Sequence, residues 1–410
     1  MLDTVISSIT IFGYILSGIT TVYYLAIALT GWFRKKPEKH IPNPHPHKFA
    51  VVIAAHDERM VIGKTLDSII NMDYPSELID VYVVADNCSD NTAEIARSKG
   101  VRVHERFDNV FKGKGYALTW IFDIIWATKI EYDAVCILDA DNLMNKNYFK
   151  EMNKSLNQGH QVIQGYRDCK NPEDSVVSGC YSIAYWLNNR YFQLSRYQMD
   201  LSCGISGTGF VVKADLMKEL GWDSHCLTED LEFQLKIVER GIKVAWNHDA
   251  IFYDENPITL RQSFKQRTRW MQGHNACASA FLTKLLKMGF KKKDPVALDT
   301  AFYLIQPYLL SIVWIITIIS IVYWSFMSFV SLDYLFTVIK ALLSMEVLML
   351  VYGISLFIEK KLTKKILLYL IVFPYYLFTW LVPIYLGWIR RKQSDWAHTE
   401  HTRSMDVTDI

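Results

Sequence analysis

Ala134-Val-Cys-Ile-Leu138 is an unbroken apolar run of strand length, and it stops at Asp139-Ala140-Asp141. A strand that is apolar at every position has both faces covered, which marks a buried parallel strand rather than an edge. Phe49-Ala-Val-Val-Ile-Ala-Ala55 is a second such run and ends at His56-Asp57-Glu58. Asp80-Val-Tyr-Val-Val-Ala85 is the next strand and is followed by Asp86. Between these runs the pattern turns helical. Glu58 to Asn71 carries Met60, Val61, Leu66, Ile69 and Ile70 at helical spacings, and Ala93 to Ser98 precedes a further strand, Val101 to Glu105. Alternating strands and helices predict an α/β domain with a mostly parallel, Rossmann-like sheet and right-handed crossovers. Ligands of such sheets bind beyond the carboxyl ends of the strands, so the three polar strand ends mark one edge as the candidate site. No G-x-G-x-x-G and no G-x-x-x-x-G-K-[ST] occurs, which leaves a dinucleotide or P-loop reading without support.

Outside this region the chain is far more apolar. Of 410 residues, 51% are hydrophobic and 21% charged, a balance that favours a membrane protein. Thr4 to Phe33 carries no charge, and neither does Thr300 to Leu332; Tyr334 to Ile358 is broken only by Lys340 and Glu346, and Ile366 to Ile389 follows. Each exceeds the roughly 20 residues that cross a hydrocarbon core. Arg34, Lys35 and Lys36 close the first run, so the positive-inside rule predicts an N-terminal anchor with the α/β domain in the cytoplasm. The Lys-rich stretch 284–293 marks the domain's return to the membrane. Basic residues on both sides of the fourth run leave the parity of the spans open, with Pro374 and Pro383 offering a way for that run to dip in and return. A formal net charge of +2 excludes a strongly basic nucleic-acid binder. The seven cysteines form no C-x-x-C pair and read as reduced, packed thiols.

Several clusters carry chemistry, each with a plainer alternative. Asp139 and Asp141 suit a shared divalent cation, or simply a solvated turn. Asp86, in Asp86-Asn-Cys-Ser-Asp-Asn-Thr92, suits the N–H of a base, while Ser89, Asp90 and Asn91 suit helix capping. Thr228-Glu229-Asp230 reads equally as a cap with acids in the first turn or as a cleft carboxylate acting as a base. Gln266-Arg-Thr-Arg-Trp270 puts Gln266, Arg269 and Trp270 on one side of a helix, where guanidinium binds phosphate and indole stacks on sugar; a juxtamembrane Arg/Trp belt is the rival. Tyr181, Tyr185, Trp186, Tyr191, Phe192 and Tyr197 read as packing beneath the membrane rather than as sugar platforms.

Taken in order and followed by apolar spans, these motifs resemble those of the processive family-two glycosyltransferases, which include cellulose, hyaluronan, chitin and poly-N-acetylglucosamine synthases. The resemblance covers residues 48 to 275 and the spans. It implies a GT-A-like domain, an Mg²⁺ or Mn²⁺ ion on Asp139 and Asp141, and a UDP-sugar donor whose uracil meets Asp86. It implies Asp230 as general base beside Glu229, with Gln266, Arg269 and Trp270 at the diphosphate and acceptor. Glu58 would touch the nucleoside. Lys114, in Lys112-Gly-Lys-Gly-Tyr116, would stand near the nucleotide, and Gly207 and Thr208, in Ser206-Gly-Thr-Gly209, near the acceptor's terminal sugar. The tail around Trp396 and Thr399 resembles a short gating element of some members.

The expected organisation is an anchor at 1–36, the transferase domain at 37–275, an amphipathic interface segment at 276–299, about three transmembrane helices at 300–392 and a tail at 393–410. The expected function is inverting polymerisation of a β-linked polysaccharide at the plasma membrane, with a growing glycan acceptor, translocation through the chain's own helices and a weak preference for UDP-glucose over UDP-N-acetylglucosamine. The rivals are a non-processive transferase that adds one sugar to a lipid, and a catalytically dead scaffold.

Overall fold

The computed structural model describes residues 2–33, 41, 44–224, 226–327, 348–391 and 404–407. Among them, eight strands form one sheet: β1 (Phe49–Ala55), β2 (Ile79–Asp86), β3 (Arg102–Arg106), β4 (Ala134–Asp139), β5 (Leu143–Met144), β6 (Val162–Cys169), β7 (Phe210–Lys213) and β8 (Val244–Asp254). The domain helices are α2 (Ile62–Ile70), α3 (Thr92–Ser98), α4 (Lys114–Ala127), α5 (Tyr148–Asn157), α6 (Val176–Asn188), α7 (Ser195–Gln198), α8 (Ala214–Leu220) and α9 (Glu229–Glu239). They are preceded by α1 (Leu2–Thr30) and followed by α10 (Leu260–Lys292), α11 (Pro295–Met327), α12 (Leu348–Ile358), α13 (Lys364–Phe378) and α14 (Leu381–Ile389).

The strand order is β3-β2-β1-β4-β7-β6-β8-β5. β1, β2, β3 and β4 are parallel, as their apolar runs predict, and Val51, Val52 and Ile53 of β1 are wholly buried. The second half is mixed: β7 runs antiparallel to both β4 and β6, and β5 antiparallel to β8. The chain leaves β1 toward β2 on one side and adds β4 on the other, so the order reverses at β1. This switch point opens a crevice at the carboxyl ends. Two apolar layers sandwich the sheet, one including Tyr82, Leu118 and Phe210, the other Phe49, Ile62 and Phe149.

One expected helix starts later than its pattern suggests. Asp57 adopts a left-handed backbone with φ 55°, and the Glu58 N–H is taken by Thr92 Oγ1 at 2.8 Å, so residues 58–61 form a turn and α2 begins at Ile62. α10 is continuous across the 275/276 boundary drawn from the sequence.

Among the described residues, three helical stretches are long and apolar enough to cross a membrane: Thr4–Thr30, Pro295–Tyr323 and Lys364–Ile389. α1 and α11 pack side by side, with Thr10 Oγ1 and Ser320 Oγ 2.8 Å apart. The third stretch bends between Phe378 and Leu381. It starts where Thr363 donates to Glu173 of the domain and ends where Gln272 of α10 donates to the Arg390 carbonyl at 2.9 Å. Both ends of the fourth apolar run therefore lie against the α/β domain and α10. Lys64 of α2 meets Asp406 at 2.9 Å, so residues 404–407 also lie on the domain. Arg34 to Lys36, most of the third apolar run, Trp396 and Thr399 fall outside the described residues.

Candidate active site

Three parallel strands deliver their last residues to one edge. Asp139 of β4 is level with Ala54 of β1, and Asp86 is the residue after the Ala85–Ala55 pair. Parallel hydrogen bonding fixes these registers, so the carboxylates are placed by the backbone rather than by flexible loops.

Asp86 is buried, and directly opposite it in the β2–β3 register is Arg106. Arg106 Nη1 donates to Asp86 Oδ1 at 2.7 Å, while Nη2 reaches Asp108 at 3.1 Å and the Phe111 carbonyl at 2.7 Å. Burial raises the Asp86 pKa and Arg106 works against that rise. Sequence reasoning did not find Arg106; only a strand register would have shown it. Glu58 lies half-buried in the turn after β1, on the same edge.

Asp139 forms an ion pair with Lys114, the first residue of α4, and Lys114 also donates to the Gly207 carbonyl at 2.7 Å. The Asp139 N–H donates to Thr208 Oγ1 at 2.9 Å, so the turn 206–209 is stitched to the end of β4. Asp141 is buried, with Lys170 donating to its carbonyl at 2.6 Å and lying 3.9 Å from its carboxylate. Beside it Asp254, at the end of β8, accepts from Asn142 at 2.9 Å and pairs with Arg167. Burial first, and the Asp141 charge second, raise the Asp254 carboxyl to about 6 against the pull of Arg167. Arg167, Lys170 and Asp254 were not legible from spacing, because β6 and β8 meet only in the sheet.

Asp139 and Asp141 supply hard oxygen donors of the kind that Mg²⁺ and Mn²⁺ prefer, and the Asp139 side chain is 39% exposed. The donor set fits a divalent cation. A second acidic group, Asp57, Cys88 and Asp90, brings ligand atoms within 4.8 Å of one another. There Asp57 accepts the backbone N–H groups of Ser89 at 2.6 Å and Asp90 at 3.2 Å, so its carboxylate locks a turn.

Thr228 leads into α9, which carries Glu229 and Asp230 in its first turn. Gly207, at φ +78°, faces Asp230 so closely that a Cβ there would stand 3.2 Å from Asp230 Oδ2. The small-residue turn and the carboxylate are thus one site. Gly273 of α10 plays the matching part behind it: a Cβ would fall 2.3 Å from Thr228 Oγ1, so only glycine lets α10 approach the start of α9. Burial raises Glu229 to about 7, with the Asp230 charge adding to it, and Lys114 and Arg269 opposing. Asp230 is also raised, by burial, against the same two cations. Burial would lower the Lys114 ammonium, but Asp139, Glu229 and Asp230 together raise it. Lys114 therefore links the Asp139 end of the cleft to the Asp230 end.

Gln266, Arg269 and Trp270 share one side of α10, all half-buried. Gln266 accepts from Tyr181 at 3.1 Å, and Trp270 lies against both Tyr181 and Trp380, each 6.4 Å between ring centres. Tyr181 and Trp186 are buried in the core, and Tyr181 also contacts Trp270, so the aromatic stretch both packs and borders the site. The structure thus gathers Lys114, Asp139, Gly207, Thr208, Glu229, Asp230 and Arg269 around one cleft, with Asp86 and Glu58 along the same sheet edge and Trp270 on the α10 side.

Residues 45–273 match the family model described as glycosyltransferase like family 2. The probable glycosyltransferase YdaM of Bacillus subtilis (strain 168) is 27% identical over 60% of this chain, a match that spans 59% of that relative's length. A poly-beta-1,6-N-acetyl-D-glucosamine synthase of Staphylococcus epidermidis is 24% identical over 79% of this chain and 78% of its own. Among solved structures, a mannosyltransferase from Pyrobaculum calidifontis, in complex with GDP-Man and Mn²⁺, superposes with a TM-score of 0.61 at 17% identity, covering 94% of this chain and 99% of that one. That likeness establishes a GT-A-like fold. With more than half of its length matched by the family model and the strand-end carboxylates in one cleft, this chain belongs to glycosyltransferase family 2.

Proposed function

We propose that this chain is a membrane-bound, inverting transferase that extends a β-linked polysaccharide processively from a UDP-sugar. The observation that carries this reading is the Glu229–Asp230 pair, buried opposite Lys114 and Arg269 and across from Asp139. Inversion needs one base to take the acceptor hydroxyl proton while the anomeric carbon is attacked from the face opposite the leaving group, and no enzyme nucleophile. Asp230 has the place and the raised basicity for that step. Glu229 shares the incoming proton's environment and holds the pair's titration near neutrality.

The departing UDP carries the charge that grows in the transition state. Lys114 and Arg269 face it from either side. A divalent cation bound through Asp139 and Asp141 would neutralise the diphosphate. Asp86, oriented by Arg106, presents a fixed acceptor to the uracil N–H, and Glu58 meets the nucleoside. Trp270 offers a stacking face to the terminal sugar, and Gly207 and Thr208 leave room for it. The names of several relatives favour N-acetylglucosamine over the glucose expected from the sequence. Plasma-membrane residence, a cytoplasmic domain and passage of the polymer across the bilayer belong to the same reading.

One observation favours a second reading, transfer of a single sugar to a lipid acceptor. The end of the fourth apolar run lies against α10, with Gln272 on the Arg390 carbonyl at 2.9 Å, and this brings an apolar helix with exposed Val382, Trp388 and Ile389 close to Trp270, as a lipid-borne acceptor would need. Full-length protein in lipid, given Mn²⁺ and labelled UDP-N-acetylglucosamine or UDP-glucose in separate tubes, tests both. Label in high-molecular-weight product from the first donor supports polymerisation. Label in a small, lipid-soluble product supports the second reading, and transfer from neither donor contradicts both.

A further inference from the structure

Between Gln266 and Arg269 stands Arg267, which is fully buried in α10. An arginine does not lose its charge in a protein, so burial of this group has to be balanced by its surroundings. No carboxylate pairs with it among the described residues. Its Nη1 donates to Thr379 Oγ1 at 3.0 Å, its Nε lies 3.4 Å from the Ser263 carbonyl, and its Nη2 has no partner. What surrounds it instead is aromatic: Tyr376 at 4.9 Å, Trp380 at 5.0 Å, Phe264 at 5.2 Å and Tyr181 at 6.0 Å from guanidinium carbon to ring centre. Ring faces attract a cation, more strongly where water is absent.

These rings come from three elements. Phe264 is on α10, Tyr181 on α6, and Tyr376 and Trp380 flank the bend between α13 and α14, where Thr379 also sits. Two of the four, Tyr181 and Trp380, are the rings that lie against Trp270. The guanidinium thus sits at the centre of the frame that sets the indole's orientation, one helical turn from it.

We propose that Arg267 is a positioning residue for the acceptor step: by clamping the α13–α14 bend onto α10 and α6 it fixes Trp270 at the angle at which a terminal sugar stacks. This rests on the reading of Trp270 as an acceptor contact. Lysine is a poor substitute, since it lacks the planar fork that stacks among rings while donating to Thr379. On the same reading the donor is held chiefly by Asp86, Lys114 and Asp139, which form no hydrogen bond or ion pair with this frame among the described residues.

The test uses full-length protein in lipid nanodiscs as wild type, Arg267→Met, Arg267→Lys and the milder Thr379→Val and Trp380→Phe. Four quantities are read: UDP affinity with Mn²⁺ by calorimetry, the apparent KM and kcat of transfer to a β-linked N-acetylglucosamine pentamer, product length and thermal unfolding. A misplaced contact of about 1 Å costs up to 10²-fold. Arg267→Met is expected to reduce transfer to the pentamer about 10- to 100-fold and to shorten products, with UDP affinity within about twofold of wild type. Arg267→Lys falls between the two, and Thr379→Val and Trp380→Phe show the same pattern more weakly. Unchanged transfer and product length in folded Arg267→Met and Trp380→Phe overturns the proposal. So does a parallel loss of UDP affinity and transfer, which is the signature of general unfolding. If the wild type binds UDP yet transfers nothing to the pentamer, the acceptor reading of Trp270 fails and the proposal falls with it, an outcome recognisable without the variants.

Discussion

Arg196 and Arg267 are both almost completely removed from water, and the chain balances their charges in opposite ways. Arg196, on α7, reaches Asp299 of α11 through Nε at 2.8 Å and Nη2 at 3.1 Å, and Tyr23 of α1 donates to the same carboxylate. It also lies over Phe192, with its guanidinium carbon 3.7 Å from the ring centre. One bidentate pair thereby ties two apolar helices to the domain. Arg267, on α10 between Gln266 and Arg269, has rings in place of an acid. A bidentate ion pair is directional and fails as a unit. An aromatic frame is graded and tolerates small reorientation. The first arrangement suits a joint that holds still, and the second a surface whose angle matters to a ligand.

The largest effect is expected at the joint. Breaking a buried pair by removing one partner typically costs about 3–5 kcal/mol. Asp299→Asn should lower the unfolding free energy of the protein in lipid by about that amount, and replacing both partners with apolar residues should recover most of it. A loss no larger than that of Arg267→Met would erase the distinction between the two sites.

Next comes the cleft, where charge rather than packing decides. Glu229 stands near 7 and Asp230 is raised, so the pair takes up a proton as pH falls through neutrality and the base is lost. The acid limb of kcat/KM should therefore lie near neutrality instead of at the ordinary carboxylate value of about 4. Lys114 lowers both carboxyls, so Lys114→Met should move that limb to higher pH. A limb that stays put, or moves down, removes Lys114 from the pair's electrostatics.

Gly207→Ala probes a smaller term. At φ +78° a side chain is strained by about 1–3 kcal/mol, and its Cβ would press on Asp230. Transfer should fall with UDP affinity retained; equal loss of both would place the turn on the donor side. The smallest effect is expected at Lys64 and Asp406, a pair about two-fifths exposed. Lys64→Ala should change stability by no more than about 1 kcal/mol, as read by denaturant unfolding.

The features of the molecule that are readable in sequence are those carried by contiguous pattern. The apolar runs of β1 and β4 and the residues that end them identified the sheet edge, because burial on both faces leaves a local signature. Lys114, Gly207 and Asp230 were found through motif resemblance, and their meeting in one cleft became visible only in three dimensions. Arg106 escaped because its partner lies across a strand pair. Arg167 and Asp254 escaped for the same reason, and β7 because four residues carry too little pattern to reveal an antiparallel strand. Arg267 stood in plain view inside a recognised motif, but much of its frame, Tyr376, Thr379 and Trp380, comes from the α13–α14 bend more than a hundred residues away. The bend itself was indicated only by Pro374 and Pro383, since apolar composition alone does not show where a helix is interrupted.

In the proposed mechanism Asp230 removes the acceptor proton and takes no part in holding the donor. Asp230→Asn keeps the side chain's size and removes its basicity. Calorimetry with UDP and Mn²⁺, run on the same preparations as the transfer assay, reads both halves at once. Asp230→Asn is expected to lose transfer by about 10²- to 10⁴-fold, the usual contribution of a positioned base, with UDP affinity unchanged. Transfer close to the wild-type rate, or UDP affinity lost together with transfer, would contradict it.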